Sequence, residues 1–131
     1  MKLNLNQITI PVQNVEESIE FYKKLGLKLI VRALPKYARF ECMAGDTTFS
    51  LHKADTVVQP INPIIIYFES EYLDKDVTKL MALGLVFDEM PTDQPWLWRE
   101  ARLRDIDNHL IILYQPGINR KKPPWRLATE D

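Results

Sequence analysis

The chain has 131 residues, 46% of them hydrophobic and 27% charged, and carries a net charge of -1. That is enough for one domain with a core, and the balance excludes a disordered segment. The near-neutral charge gives no field to attract nucleic acid or an anionic membrane surface, and the longest apolar run, Ile64 to Phe68, is too short to span a bilayer.

Cys42 is the lone cysteine, so no intrachain disulfide can form and a cytoplasmic setting is expected. Its place in F-E-C-M-A reads as a small buried hydrophobe rather than a nucleophile. The opening M-K-L-N-L-N-Q lacks the apolar stretch of a signal peptide.

Residues 3–12 alternate apolar and polar, with Ile8, Ile10 and Val12 in one phase, which predicts a half-buried strand. Asn14 then caps a helix that has acids in its first turn, Lys23 and Lys24 in its last, and Gly26 as its stop. Three strands are expected next, at Leu27–Leu34, Tyr37–Ala44 and Thr47–Lys53, punctuated by Pro35-Lys36 and Gly45-Asp46.

The order then repeats. A linker, roughly Ala54–Asn62, leads through Asn62-Pro63 to an apolar strand at Ile64–Glu69. A helix from about Glu71 to Leu83 buries Leu73, Val77 and Leu80, and it stops at Gly84. Strands follow near Leu85–Glu89, Trp98–Arg104 and Leu110–Tyr114. Leu83-Gly84-Leu85 repeats Leu25-Gly26-Leu27 at an offset of 58 (25 to 83). The chain thus reads as one 131-residue domain of two βαβββ modules, 3–54 and 62–115, with a patternless tail at 116–131. In the turn Asp105-Ile106-Asp107-Asn108 the carboxylates are expected to cap backbone amides, with Asn108 left-handed. His109 is expected at the surface.

Three stretches carry a family resemblance: Q-I-T-I-P-V-Q-N-V-E-E-S-I-E-F-Y-K-K-L-G-L, the second helix ending in L-G-L, and P-W-L-W-R-E-A-R-L-R-D-I-D-N-H-L-I-I-L. The duplicated unit resembles the vicinal oxygen chelate superfamily, the group of glyoxalase I, bleomycin-resistance proteins and extradiol dioxygenases. The resemblance covers about residues 5–115. It implies an α+β fold in which a curved, cup-shaped mixed sheet carries the helices on its outside.

Strand parity, taken with that resemblance, turns Gln7, Thr9, Ser50 and His52 into the cup. The second module is expected to contribute Ile64, Ile66, Phe68, Leu110, Ile112 and Tyr114. Metal-dependent relatives place four ligands on such strands, and the resemblance carries these onto Gln7, Ser50, Ile64 (Pro63 if the register slips) and Ile112. A divalent metal needs at least three N or O ligands, so no metal or other cofactor is expected. A rearranged site through Gln7 and His52 is the alternative.

The polar residues of the first module, with Ile64, Ile112, Tyr114, Trp96, Trp98 and Arg99 from the second, are therefore the candidate ligand-binding set. Tyr37, Arg39 and Phe40 are candidates for its rim. Ile64, Ile66 and Ile112 either wall a cavity or simply fill a core. Trp96 and Trp98 either touch ligand or pack in a loop or dimer interface. No G-x-S-x-G, Cys–His spacing or Gly-rich phosphate loop occurs among the residues, and the glycines number four. The resemblance implies a small-molecule-binding protein of the bleomycin-resistance type, a homodimer that binds an organic ligand, with aromatic compounds and antibiotics as the candidate classes. The alternative is a metal-dependent lyase, isomerase or dioxygenase, so catalysis is left open. A third reading is an accessory or regulatory domain acting through its dimer surface.

Overall fold

A computed structural model of the chain describes residues 1–61 and 63–128. Asn62, the expected end of the linker, and residues 129–131 of the expected tail lie outside the described residues. The elements run β1 (Gln7–Val12), α1 (Val15–Lys24), β2 (Lys28–Ala33), β3 (Tyr37–Glu41) and β4 (Thr48–Lys53). The same order follows in β5 (Ile66–Glu69), α2 (Leu73–Ala82), β6 (Phe87–Asp93), β7 (Arg99–Arg104) and β8 (Leu110–Gln115). Two four-stranded mixed sheets result, ordered β1-β4-β3-β2 and β5-β8-β7-β6. This is the α+β architecture of two βαβββ modules.

The chain divides into two compact units. The first holds the first five elements together with the turn 105–109, and the second holds the other five and the described residues that follow β8. The turn that joins β7 to β8 thus belongs to the first unit.

In the first unit, Asn14 accepts a hydrogen bond from the Glu17 amide (3.0 Å) and caps α1. The helix stops where Gly26 takes φ 106, a region L side chains avoid. Val15, Ile19 and Tyr22, at helical spacing, are buried with Ile10, Val12, Ala38, Phe40, Phe49 and Leu51 of the sheet. The Tyr22 ring lies 4.8 Å from that of Phe49, and burial of such side chains contributes about 1.5–3 kcal/mol each. Pro11 is tolerated in β1 because β1 is an edge strand, as β6 is for Pro91.

The acidic turn is built into this unit. Asp105 accepts hydrogen bonds from the amides of Asp107 (3.0 Å) and His109 (2.8 Å) and from the Tyr22 hydroxyl (2.5 Å). Asp107 accepts from the Gln13 amide at 3.1 Å. Asn108 has φ 69, the left-handed turn conformation expected of it. His109 corrects the sequence expectation: it is buried, with Nε2 2.8 Å from the Pro11 carbonyl oxygen. Burial raises the Tyr22 phenol pKa strongly, with help from the Asp105 charge and hydrogen bond.

In the second unit, α2 buries Leu73, Val77 and Leu80, the counterparts of Val15, Ile19 and Tyr22 at the same offset of 58 (15 to 73, 19 to 77, 22 to 80). The Leu73 amide, at the start of the helix, donates to Gln115 Oε1 at 3.0 Å, and Ser70 Oγ takes the Tyr72 amide at 3.1 Å. Ile66, Ala101, Leu103, Ile111 and Leu113 form the sheet's buried apolar side. β5 starts later than expected, at Ile66, and its parity is the reverse of the expected one. Tyr67 is in register with Ile112, so Ile66 and Phe68 lie on the opposite face from Ile112. The tail carries one 3-10 turn, Gly117–Arg120, where no helix was expected.

Candidate functional site on the open sheet faces

Each sheet has one face turned from its helix. In the first unit, β1 and β4 pair in parallel with Gln7 opposite Thr48 and Thr9 opposite Ser50, and β3 places Arg39 opposite the same Ser50. Thr9, Ser50 and Arg39 therefore form one row across three strands. Ser50 is 0% exposed. Its Oγ accepts hydrogen bonds from Gln7 Nε2 (2.9 Å) and from the Tyr37 hydroxyl (2.8 Å). Gln7 Nε2 also reaches Thr9 Oγ1 at 3.0 Å, and Thr48 Oγ1 donates to Gln7 Oε1.

Arg39 Nε donates to the Tyr37 hydroxyl at 2.9 Å, and its guanidinium carbon sits 5.4 Å from the Tyr37 ring centroid. Slight burial works against ionisation of Tyr37, but the hydrogen bonds with Ser50 and Arg39 and the guanidinium charge outweigh it. The phenol is held below its ordinary value. Sequence reasoning left Tyr37 and Arg39 at the rim. The alternation Y-A-R-F carries the signal, since Ala38 and Phe40 are buried and their neighbours must face the other way.

His52 shares this face, in register with Tyr37 and Pro11, and its Nδ1 lies 3.1 Å from the Lys53 carbonyl oxygen. Gln7 is aligned with Thr48, four residues away along β4, or about 13 Å. With the Gln7 amide already held by Thr9, Ser50 and Thr48, the structure does not bring Gln7 and His52 together.

The second unit's open face is aromatic. Trp98 and Tyr114 ring centroids are 4.9 Å apart, Tyr67 and Tyr114 5.1 Å, and Tyr67 and Trp98 5.8 Å. Leu110, Ile112 and Tyr114 cluster beneath, and Ile112 is 0% exposed. Trp98 Nε1 donates to the Asn119 carbonyl at 3.0 Å, and Arg120 pairs with Glu69 at 3.6 Å, which ties the 3-10 turn to this face. Burial, then the Glu100 charge, raises the Tyr67 phenol; burial, then Glu69, raises that of Tyr114.

Glu100 was not foreseen as a site residue. It is 0% exposed and stands opposite Tyr114. Oε2 accepts from Trp96 Nε1 at 2.8 Å, whereas Oε1 has an Arg102 nitrogen 3.7 Å away and no hydrogen-bond partner among the described residues. Nothing in W-R-E-A-R-L-R marks it as buried.

Two expected site residues lie elsewhere. Ile64 is 81% exposed and precedes β5, because the strand's parity is set by Tyr67 facing with Ile112. Arg99 pairs with Asp74 of α2 (3.1 Å) and with Asp93 (3.1 Å), away from the open face, which follows from the alternation along β7 with Trp98 and Glu100 on the other side. Trp96 is half-exposed and joins the face through Glu100.

The positions corresponding to a metal site fall, on observed register, at Gln7, Ser50, Ile65 and Ile112. Their side chains offer an amide and a hydroxyl already hydrogen-bonded to one another, and two hydrocarbons. Neither unit's pair supplies the three or more donors that a divalent metal needs. Among the described residues no group of three or more His, Cys, Asp and Glu is placed to hold one.

The family model of the glyoxalase/bleomycin resistance protein/dioxygenase superfamily matches residues 4–113. Comparison with curated proteins found no match. Among solved structures, a glyoxalase/bleomycin resistance protein/dioxygenase from Nocardioides is similar at TM-score 0.79 and 21% identity, covering 98% of this chain and 91% of the other. TnmS3, an antibiotic binding protein from Streptomyces sp. CB03234, is similar at 0.74 and 22%, with 88% and 98% covered. Lactoylglutathione lyase from Agrobacterium tumefaciens is similar at 0.71 and 14%, with 86% and 92% covered. With the fold and the matched residues in agreement, the chain belongs to the glyoxalase/bleomycin resistance protein/dioxygenase superfamily.

Proposed function

We propose that the protein binds a small organic ligand without a metal ion, in the manner of the antibiotic-binding members of its superfamily. The observation that carries this reading is the pair Ile65 and Ile112 at positions that metal chemistry needs, beside a surface of Tyr67, Trp98 and Tyr114 suited to stacking. TnmS3, an antibiotic binding protein, supplies a structural precedent for the fold in that role. Trp96, Trp98, Ile112 and Tyr114 are proposed to contact the ligand's flat part. Gln7, Thr9, Ser50 and His52 are proposed as a polar surface within the first unit.

Titration with bleomycin-type and planar aromatic compounds, followed by tryptophan fluorescence, tests this directly. Saturable quenching is expected, and its absence across a broad panel overturns the reading. Elemental analysis after incubation with Ni²⁺, Mn²⁺, Zn²⁺ or Fe²⁺ tests the metal side. Stoichiometric metal lost on His52→Ala would overturn the metal-independent reading in favour of the rearranged metal site.

Homodimerisation is part of the proposal. β1, β2, β5 and β6 are edge strands, and edges of this kind invite pairing with a second copy. Sedimentation at high concentration tests it, with a monomer as the contrary result. A cytoplasmic location is proposed from the single cysteine, Cys42. No helix among the described residues is long and apolar enough to cross a membrane.

A further inference from the structure

We infer that the open face of the first sheet is an oxyanion-binding surface in which Arg39 and Thr9, flanking Ser50, receive a carboxylate or phosphate group of the ligand. This rests on the small-molecule-binding reading and goes beyond it by naming the ligand's charge and the residues that recognise it.

The row Thr9–Ser50–Arg39 crosses three adjacent strands in register, so its ends stand about 10 Å apart with Ser50 between them. The hydrogen bonds already made decide what remains. Thr9 Oγ1 accepts from Gln7 Nε2, which leaves its own hydroxyl proton to donate. Arg39 uses Nε on the Tyr37 hydroxyl, which leaves the N–H groups of both Nη atoms. Ser50 accepts from Gln7 and from Tyr37 and keeps its proton. What the exposed ends of this row, Thr9 and Arg39, still offer is therefore hydrogen-bond donors.

Charge points the same way. Among the described residues Arg39 forms no ion pair. The carboxylate on its own strand and face, Glu41, is paired with Lys28 at 3.7 Å. Arg39 is nonetheless not a loose surface side chain. The bond from Nε to Tyr37, itself bonded to the fully buried Ser50, fixes the plane of the guanidinium. A held fork with outward Nη groups is the geometry that grips an oxyanion at two points.

The test uses 2-naphthoate, 2-naphthyl phosphate and neutral 2-naphthamide as probes, with binding followed residue by residue in amide NMR spectra. One or both anions should shift the signals of Thr9, Arg39, Ser50 and the Arg39 Nε–H, and bind about tenfold tighter than the amide. Arg39→Met should abolish that preference while leaving the remaining spectrum in place, since Arg39 is exposed. Arg39→Lys should retain part of it, because the charge survives and the fork does not. If Arg39→Met loses its spectral dispersion, the several-fold drop expected for Arg39→Lys decides the matter.

Equal binding of acid and amide, or a preference that survives loss of Arg39, overturns the inference. Shifts confined to Tyr67, Trp98 and Tyr114 overturn it while leaving the small-molecule-binding reading standing. No shift at either set of residues overturns the inference as well, and the broad fluorescence panel then decides the small-molecule-binding reading.

Discussion

The two units run the same element order over equivalent registers, yet their open faces have opposite chemistry. Ser50 and Ile112 occupy matching places, each fully buried and each opposite an arginine on the neighbouring strand, Arg39 and Arg102. Thr9 corresponds to Tyr67, and Tyr37 to Glu100. In the first unit the central side chain is a hydroxyl, and the residues around it form one connected set of hydrogen bonds. In the second it is a hydrocarbon, its neighbours are aromatic, and the fully buried carboxylate of Glu100 keeps an unbonded oxygen. The backbone fixes where side chains stand, and the identity at one central position decides which neighbours are compatible with it.

The largest expected effect comes from forcing the first unit's chemistry on the second. Ile112→Ser removes a fully buried side chain and leaves a hydroxyl among apolar neighbours. A loss of about 3–4 kcal/mol is expected in chemical denaturation. The helices supply the next test. Tyr22 and Leu80 are equivalent, but only Tyr22 carries a hydroxyl, and it bonds to Asp105. Tyr22→Phe should cost about 1.5–3 kcal/mol, because a buried carboxylate loses a donor. A cost below about 0.5 kcal/mol would mean that the turn does not depend on this bond.

Ser50→Ala probes the polar face with a smaller expected loss, about 1–2 kcal/mol, as Gln7 and Tyr37 lose their shared acceptor. It should also raise the phenol pKa of Tyr37, since the Ser50 bond is one of the influences that lower it. Ultraviolet titration of the phenol reads this.

The smallest effect concerns Asp107. Burial first, then the neighbouring Asp105 charge, raises its carboxyl pKa against the opposing pull of Gln13, His109 and Ser18. A carboxyl with a raised folded value contributes fully below its ordinary titration range, and that contribution is lost as pH rises through the folded value. Asp107→Asn keeps an acceptor for the Gln13 amide and removes the charge. It should therefore stabilise by roughly 0.5 kcal/mol at pH 7, with the advantage vanishing in acid. Thermal melts across pH read the crossover.

Much of this was legible in the sequence, and the exceptions have physical reasons. Asn14, Gly26 and Gly84 mark helix ends by local chemistry, so α1 and the stop of α2 could be read locally. The parity of β1 followed from true alternation. β5 offered none, because P-I-I-I-Y-F is apolar throughout and either face would accept its residues. The repeat itself held the correction, since Gln7 shifted by 58 (7 to 65) lands on Ile65 rather than Ile64. The bond between Tyr22 and Asp105 joins residues 83 positions apart, and no local pattern announces a contact of that range. Glu100 is hidden for a similar reason: its carboxylate is met by Trp96 Nε1 and stands opposite Tyr114 of β8, and neither partner is announced by the alternation of its own strand.

The placement of turn 105–109 has a consequence for how the molecule can be taken apart. A duplicated chain invites cutting at its linker, with each half expected to stand alone. A fragment ending before Pro63 would keep Tyr22, Gln13 and Pro11 but not the turn that fills their hydrogen bonds. The complementary fragment would keep the Asp107 and His109 amides on Asp105 but lose the Tyr22 hydroxyl, the Gln13 amide on Asp107 and the Pro11 carbonyl beside His109. The halves are thus severable in sequence but not in chemistry, and mixing them should restore what neither retains alone.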